Sequence, residues 1–230
     1  MNSNDKPVIA VLGGTGKEGS ALGLRWAHAG YRVILGSRTA ERAAAVAAEL
    51  NTLLGARGLL EGMANGDAAR HAAVVVLAVP YAAQRATAME VKDALAGKIL
   101  VDVTVPLVPP KVDCVQLPEG GSAVLRLQSE LGPVVRVVSA FQNVSSVHLK
   151  ELDHTIDCDV LVCGDDAGAR QQVVVLAEAA GMVAWHAGVL ANSAASEALT
   201  SVLIAINKRY KVHGAGIRIT AVPRPDAGRS

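Results

Sequence analysis

A glycine-rich turn after the first apolar segment constrains the fold of this chain most strongly. Residues 8–12 (Val-Ile-Ala-Val-Leu) are typical of a buried strand, and a helical pattern over 20–29 follows the turn. Glycines spaced G-x-G-x-x-G between a strand and a helix allow a tight turn and close backbone approach to a pyrophosphate, which the helix N-terminus then binds. The motif predicts a dinucleotide site. Its predicted cofactor-binding residues are Gly14, Thr15, Gly16, Lys17, Glu18 and Gly19.

The end of the second predicted strand indicates which dinucleotide binds. Ser37 and Arg38 lie about 20 residues beyond the last motif glycine, where NAD-specific folds carry an acidic residue for the ribose. A hydroxyl and a guanidinium suit a 2′-phosphate instead, and Arg42 lies one helical turn further on the same face. The pattern favours NADP(H) over NAD(H). The Thr15 hydroxyl could join this phosphate site or cap the helix, and the sequence favours neither.

Composition excludes several classes of protein. The chain has 230 residues, of which 51% are hydrophobic and 3% aromatic, with a net charge of +1. We therefore expect a substantial core and no nucleic-acid partner, since neither a basic surface nor stacking residues are available. The apolar run 72–79 ends at Pro80 and is too short for a membrane span. The three cysteines form no C-x-x-C pair, so we expect no metal site and reduced thiols in a cytoplasmic protein.

Strand and helix patterns alternate along most of the chain. This rhythm predicts an α/β fold: a Rossmann doubly wound parallel sheet with a smaller C-terminal α/β capping domain. We predict an NADP-binding domain over 1–140, a capping and acceptor-binding segment over 141–220, and a disordered tail over 221–230. The predicted strands after the first are 32–35, 59–63, 73–79, 98–103, 134–139, 159–163, 183–186 and 214–219.

Side chains for several familiar chemistries are missing from the sequence. The glycines also fit the spacing of short-chain dehydrogenases, but no tyrosine is followed four residues later by the lysine that such enzymes use. No zinc motif and no G-x-S-x-G nucleophile turn occurs. Hydride transfer between two organic cofactors needs orientation rather than acid–base side chains. We therefore predict an oxidoreductase with no catalytic side chain, which acts by positioning.

Several short motifs occur together in an order that resembles the NADPH-dependent F420 reductase family. The resemblance extends from Val8 to about Ile219 and implies a cytoplasmic oxidoreductase that moves hydride between NADP(H) and the deazaflavin coenzyme F420. The motifs are Leu12-Gly13-Gly14-Thr15-Gly16, Gly36-Ser37-Arg38, Ser139-Ala140, Val162-Cys163-Gly164-Asp165-Asp166, Asn192-Ser193, Glu197-Ala198-Leu199-Thr200 and Gly216-Ile217.

The resemblance also implies roles for individual residues. It assigns the 2′-phosphate to Thr15, Ser37, Arg38 and Arg42, and it places the nicotinamide beside Val79, Pro80 and Tyr81. Gln142 stands where archaeal members carry histidine, and Ala191 where they carry serine, so contacts to the acceptor can differ. The acceptor-binding residues implied by the resemblance are Gln142, Asn143, Val144, Asn192, Ser193 and Thr200.

Two other functions remain open at this stage. One is an NADPH-dependent flavin or ferric reductase, which would share the dinucleotide site and use a different acceptor. The other is a non-catalytic NADP(H) sensor, which would bind a protein partner and close the acceptor pocket with large side chains. The long apolar helix near the C-terminus favours a homodimer.

Overall fold

Eight strands form one sheet with helices on both faces in this computed structural model, which describes residues 6–55, 58–147 and 149–224. The strands are β1 (Ile9–Leu12), β2 (Val33–Ser37), β3 (Leu60–Ala64), β4 (Val74–Leu77), β5 (Ile99–Asp102), β6 (Arg136–Ser139), β7 (Val160–Gly164) and β8 (Ala184–His186). The helices are α1 (Lys17–His28), α2 (Ala40–Leu54), α3 (Asn65–His71), α4 (Tyr81–Glu90), α5 (Ala123–Leu131), α6 (Ala167–Ala179) and α7 (Ser193–Tyr210), with 3₁₀ turns at Lys92–Leu95 and Leu190–Asn192.

The strand order is β3-β2-β1-β4-β5-β6-β7-β8. Strands β1 to β6 pair in parallel, β7 runs antiparallel to β6, and β8 is parallel to β7. This confirms the predicted Rossmann sheet. The order reverses between β1 and β4, and ligands of such sheets bind at the carboxyl ends of the strands at that point. The predicted boundary at residue 140 falls directly after β6, and the division into two domains stays a prediction.

Alternate residues of each central strand pack against helices on opposite faces of the sheet. Ile9 and Val11 of β1 belong to one buried cluster, which includes Trp26 of α1. Ala10 and Leu12 belong to the other, which is covered by α3, α4 and α5. Successive side chains of a strand point to opposite faces, so strands buried on both sides are apolar throughout. That property explains the continuous hydrophobic runs in the sequence.

Arg25 of α1 joins segments that are far apart in the chain. It is 6% exposed, and its guanidinium donates to four main-chain carbonyls. Nε lies 2.7 Å from the Leu149 oxygen and Nη1 lies 3.1 Å from the Ala180 oxygen. Nη2 lies 2.9 Å from the Glu151 oxygen and 3.1 Å from the His154 oxygen. The buried cation is therefore satisfied by neutral acceptors of the C-terminal half.

The first helix begins three residues earlier than predicted. Gly16 adopts an extended N-cap conformation (φ −79°, ψ 167°), and the helix starts at Lys17 rather than at Ser20. Apolar periodicity starts only where the helix meets the core, and the first turn faces the glycine loop instead. The shift matters because it brings the free amides of Lys17, Glu18 and Gly19 to the end of the sheet.

The predicted last strand, 214–219, is wrong. The segment runs beside β7, and the Asp159 amide donates to the Ile217 carbonyl at 2.8 Å. The Ile219 amide, however, donates to Oδ2 of Asp159 at 2.8 Å, so a carboxylate replaces the next main-chain acceptor and no ladder forms. Of the predicted tail, residues 225–230 lie outside the described part of the chain. None of the described helices is long and apolar enough to cross a membrane.

Candidate functional site

The glycine turn packs closely against the ends of β1 and β4. Gly13 has φ +77°, and a Cβ there would lie 2.4 Å from the Ala78 carbonyl oxygen. A Cβ on Gly14 would lie 2.7 Å from the Val11 oxygen, and one on Gly19 would lie 2.8 Å from the Gly13 oxygen. The turn therefore tolerates no side chain at these three positions. Gly13 carries the left-handed conformation, although the G-x-G-x-x-G spacing assigned no role to it.

The first turn of α1 faces the space above this turn. No side chain among the described residues caps the helix, so its first amides are available to a ligand. Glu18 is partly exposed, and burial of its carboxyl raises the pKa to about 8. A neutral carboxyl at this position does not repel an anionic ligand at the helix N-terminus.

The first of two adjoining clefts lies over the ends of β1 and β2. It has a volume of about 740 Å³ and runs from the glycine turn to the start of α2. Seven predicted cofactor residues line it, together with six others. The lining residues are Gly13, Thr15, Gly16, Ser37, Arg38, Thr39, Arg42, Asn65, Ala78, Val79, Pro80, Ala83 and Thr87.

Two unpaired cations stand at the far end of this first cleft. Arg38 and Arg42 are exposed, and within the described ranges neither guanidinium makes a hydrogen bond or an ion pair. Arg32, on the same strand-turn-helix unit, instead pairs with Glu61 at 2.8 Å. Ser37 is 8% exposed and ends β2 beside the two arginines. Two free guanidiniums and a hydroxyl match the oxygens of a phosphate monoester.

The second cleft adjoins the first at the end of β4 and has a volume of about 400 Å³. Gly16, Ala78, Val79 and Pro80 line both clefts. The residues that line only the second are Lys17, Glu18, Tyr81, Val103, Thr104, Val105, Leu107, Gln142, Val144 and Thr200.

A buried hydrogen-bond network forms the floor of this second cleft. Asp102, at the end of β5, accepts from Nε2 of Gln84 at 2.6 Å and from the amide of Thr104 at 2.8 Å. Nε2 of Gln142 donates to the main-chain carbonyl of Asp102 at 2.7 Å. The main-chain carbonyl of Gln142 accepts from the Thr200 hydroxyl at 2.6 Å. Burial raises the pKa of Asp102 to about 6. The network fixes Gln142 from both sides.

Residues that line the two clefts carry buried polar atoms without partners, as sites for a dinucleotide and a second ring would. Oδ1 of Asn65 belongs to a residue that lines the first cleft, and Oε1 of Gln142 to a residue that lines the second. Both atoms are buried and lack a hydrogen-bond partner within the described chain. Buried polar atoms normally have partners, and a ligand would supply the missing ones.

Comparison with known proteins identifies the family. The model of the family "NADP oxidoreductase coenzyme F420-dependent" matches residues 8–106. The F420-dependent NADP reductase of Methanocaldococcus jannaschii is 41% identical over 219 residues, covering 92% of this chain and 97% of the relative. The chain belongs to the F420-dependent NADP reductase family.

Two further F420-dependent NADP reductases agree with this assignment. The protein of that name from Methanothermobacter thermautotrophicus is 41% identical over 226 residues, covering 95% of this chain and 97% of its own length. The crystal structure of a putative F420-dependent NADP reductase from Arthrobacter sp. FB24 has a TM-score of 0.76 and 26% identity. It covers 94% of this chain and all of the other.

Three of the six residues that the F420 reductase resemblance implied for the acceptor do not reach the second cleft. Asn143 is buried, and its amide donates to the Asp159 carbonyl at 2.7 Å. Ser193 is fully buried and donates to the carbonyl three residues earlier at 2.6 Å. Asn192 is exposed and donates to the carbonyl five residues earlier at 2.8 Å. Each of these three side chains donates a hydrogen bond to a main-chain carbonyl, and of the six predicted residues Gln142, Val144 and Thr200 line the second cleft.

Several lining residues were not predicted for this F420-dependent reductase site. Asn65 follows β3 directly, and the carboxyl end of a strand next to β2 could have signalled it. Thr104 follows β5 in the same way. Residues 104–107 follow the predicted strand 98–103 and were given no role in the site, yet Val105 and Leu107 line the second cleft. Gly14 and Gly19 pack inside the turn and line neither cleft.

Proposed function

We propose that the chain transfers a hydride between NADP(H) and coenzyme F420 at the junction of the two clefts. The continuity of the clefts at Gly16 and at 78–80 is the observation that carries this proposal. A dinucleotide lying along the first cleft would bring its nicotinamide to that junction. A second planar ring in the adjoining cleft would then face it.

We assign the dinucleotide to the first cleft and to the residues at its border with the second. The glycine turn and the amides of Lys17 and Glu18 would bind the pyrophosphate. Ser37, Arg38 and Arg42 would bind the 2′-phosphate, with the Thr15 hydroxyl on the same cleft. Gly14 and Gly19 contribute by keeping the turn tight. Val79, Pro80 and Tyr81 would flank the nicotinamide.

The chemistry of the hydride belongs to the two cofactors, whose rings donate and accept it when bound. The protein holds the rings in contact and excludes water. Gln142 is well placed for orientation because its buried Oε1 has no partner in the described chain and its amide nitrogen is held by the Asp102 carbonyl. Val144 and Thr200 form the neighbouring wall. The open second cleft favours an acceptor over a sensor with a filled pocket.

The experiment that tests this proposal compares acceptors and donors on one preparation. NADPH oxidation is followed with F420, with FMN and with a ferric chelate, and each reaction is repeated with NADH. We expect fast oxidation only with NADPH and F420. Turnover with FMN or the chelate alone would favour a flavin or ferric reductase, and tight NADPH binding without turnover would favour a sensor.

We also propose a homodimer through α7 and a cytoplasmic location. Val202, Ile206 and Tyr210 recur every four residues on α7 and are exposed, so they form one apolar stripe. Ile206→Lys should convert a dimer to a monomer in light scattering, while Arg209→Ala should not. All three cysteines are free thiols, which suits the cytoplasm.

A further inference from the structure

The carboxyl group of Glu18, in the second cleft, does not stabilise the fold through any bond in the described chain. Glu18 lines the cleft from the first turn of α1. In the described chain its carboxyl makes no hydrogen bond and no ion pair, unlike Asp102, which has two donors. A carboxyl group that neither caps a helix nor pairs with a cation contributes little to folding. Its position points to a role toward what the cleft binds.

The surroundings of Glu18 keep its carboxyl neutral. Apolar side chains form much of the cleft wall, among them Val103, Val105 and Leu107. Burial of the Glu18 carboxyl disfavours the carboxylate, and this desolvation raises its pKa to about 8. A group with such a pKa holds a proton at neutral pH and releases it readily, as a general acid and base must.

The other ionisable groups around the cleft make no hydrogen bond or ion pair with the Glu18 carboxyl in the described part of the chain. Lys17 and Tyr81 line the same cleft, and Arg126 of α5 donates to the Tyr81 hydroxyl at 3.1 Å. Asp102 lies below the floor and is bonded to Gln84 and the Thr104 amide. None of these groups is joined to the Glu18 carboxyl in the described structure.

The proposed reaction needs a proton as well as a hydride. Reduction of a deazaflavin by NADPH forms one C–H bond at a ring carbon, breaks the C4–H bond of the nicotinamide, and adds one proton to a ring nitrogen. The balance is NADPH plus acceptor plus one proton, giving NADP⁺ and the reduced acceptor. Once the two rings displace water from the interior of the cleft, a side chain of its wall is needed to supply that proton.

We propose that Glu18 is the proton donor of acceptor reduction and the proton acceptor of the reverse reaction. The inference rests on the proposed function. The carboxyl transfers its proton as the hydride arrives, and the carboxylate then takes a proton from solvent at the mouth of the cleft, where Glu18 is partly exposed. Lys17 and the diphosphate of the dinucleotide stay charged throughout and take no part in the transfer.

The test uses Glu18→Gln, which keeps the shape of the side chain and removes the acidic proton, with Glu18→Asp as the variant that retains a carboxyl group. Glu49→Gln, an exposed carboxyl on α2, is the matched control. Single-turnover reduction of F420 by NADPH should slow roughly 10²-fold or more in Glu18→Gln, less in Glu18→Asp, and not in the control. NADPH affinity at neutral pH should stay unchanged.

A second readout does not depend on turnover. Infrared difference spectra of the free protein should show a protonated-carboxyl band that titrates near pH 8 and is missing in Glu18→Gln but present in Glu49→Gln. No NADPH oxidation by the wild type would overturn the proposed function and this role together. Normal oxidation by the wild type with an equal rate in Glu18→Gln, or no such band, would overturn this role alone.

Discussion

The two clefts of this molecule are built in different ways. The first is local: its turn, its hydroxyl and its two arginines come from one β1-α1-β2-α2 unit of 46 residues, from Ile9 to Leu54. The second joins residues far apart in the chain, such as Tyr81, Thr104, Gln142 and Thr200. The first offers unpaired cations to its ligand, whereas the second is fixed by internal hydrogen bonds.

The difference shows how the fold separates recognition from orientation. Exposed arginines can bind and release a phosphate without disturbing the core, since nothing in the described chain depends on their bonds. Gln142 is instead held by Asp102 and Thr200. Changes to the first cleft should alter affinity and selectivity, and changes to the second should alter stability and rate.

Gly13→Ala should have the largest effect, because it disturbs the boundary that the clefts share. The added Cβ would lie 2.4 Å from the Ala78 oxygen at φ +77°, and we expect a loss of about 3 kcal/mol or more in unfolding free energy. NADPH binding should be lost in calorimetry. Gly132→Ala is the control, since Gly132 has φ +81° and nothing within 4 Å of a Cβ. It should cost only the backbone strain, about 1 to 3 kcal/mol. Equal costs would show that the turn is not sterically closed.

Asp102→Asn tests whether the floor of the second cleft carries a buried charge. Folding raises the pKa of Asp102 from 3.8 to about 6, so the folded state binds the proton more tightly. Stability is therefore lost as pH rises from about 4 through about 6, by up to about 3 kcal/mol.

The Asp102→Asn variant should lack this part of the pH dependence in denaturant titrations at a series of pH values. Asp93→Asn, which changes an exposed residue, should keep it. A parallel shift of the whole curve, with its slope between about pH 4 and 6 intact, would mean that the carboxyl is not responsible.

Arg38→Ala tests recognition in the first cleft. We expect NADPH affinity to fall by about 1.5 to 3 kcal/mol, because a charge-assisted contact to the 2′-phosphate is lost. NADH affinity and thermal stability should hardly change, since Arg38 has no partner in the described chain. Arg85→Ala serves as the control, because Arg85 pairs with Glu130 away from the cleft. Equal losses for both dinucleotides would contradict a phosphate role.

Thr200→Val should have the smallest effect. It removes the hydrogen bond to the Gln142 carbonyl at the cost of about 0.5 to 1.5 kcal/mol in unfolding free energy. Single-turnover hydride transfer should slow while NADPH affinity stays constant, because Gln142 is less firmly held. Ser129→Ala, which removes an exposed hydroxyl bonded within α5, should change neither quantity. Weaker NADPH binding in Thr200→Val would contradict the expectation that the second cleft affects the rate but not the affinity for NADPH.

The first cleft could be predicted from the sequence because its parts follow local rules. A buried strand, a glycine turn and the residues that end the next strand have a fixed relation in this fold. Arg38 and Ser37 could thus be placed without knowing the rest of the chain. The alanine-rich sequence over 40–54 likewise predicts a helix with the bounds of α2, Ala40–Leu54.

The second cleft could not be predicted in the same way. Gln142 and Asn143 are adjacent polar residues after β6, and nothing in their types tells which one faces the cleft. The structure turns Asn143 toward Asp159 because β7 leaves a carbonyl there to be satisfied. Ser193 has a hydroxyl that could bind a ligand, but this hydroxyl donates to the Leu190 carbonyl within the same turn. Such choices depend on strands that meet only after folding.

The buried Arg25 has a consequence for synthesis of the chain. Its four carbonyl partners lie between 124 and 155 residues downstream, so a ribosome has completed the whole glycine turn long before they exist. A nascent or truncated chain ending before residue 149 would lack these four acceptors, and with them hydrogen bonds to a charged group that contribute about 1.5 to 3 kcal/mol each. The nucleotide-binding half should therefore reach its final order only once nearly four-fifths of the polypeptide has been made.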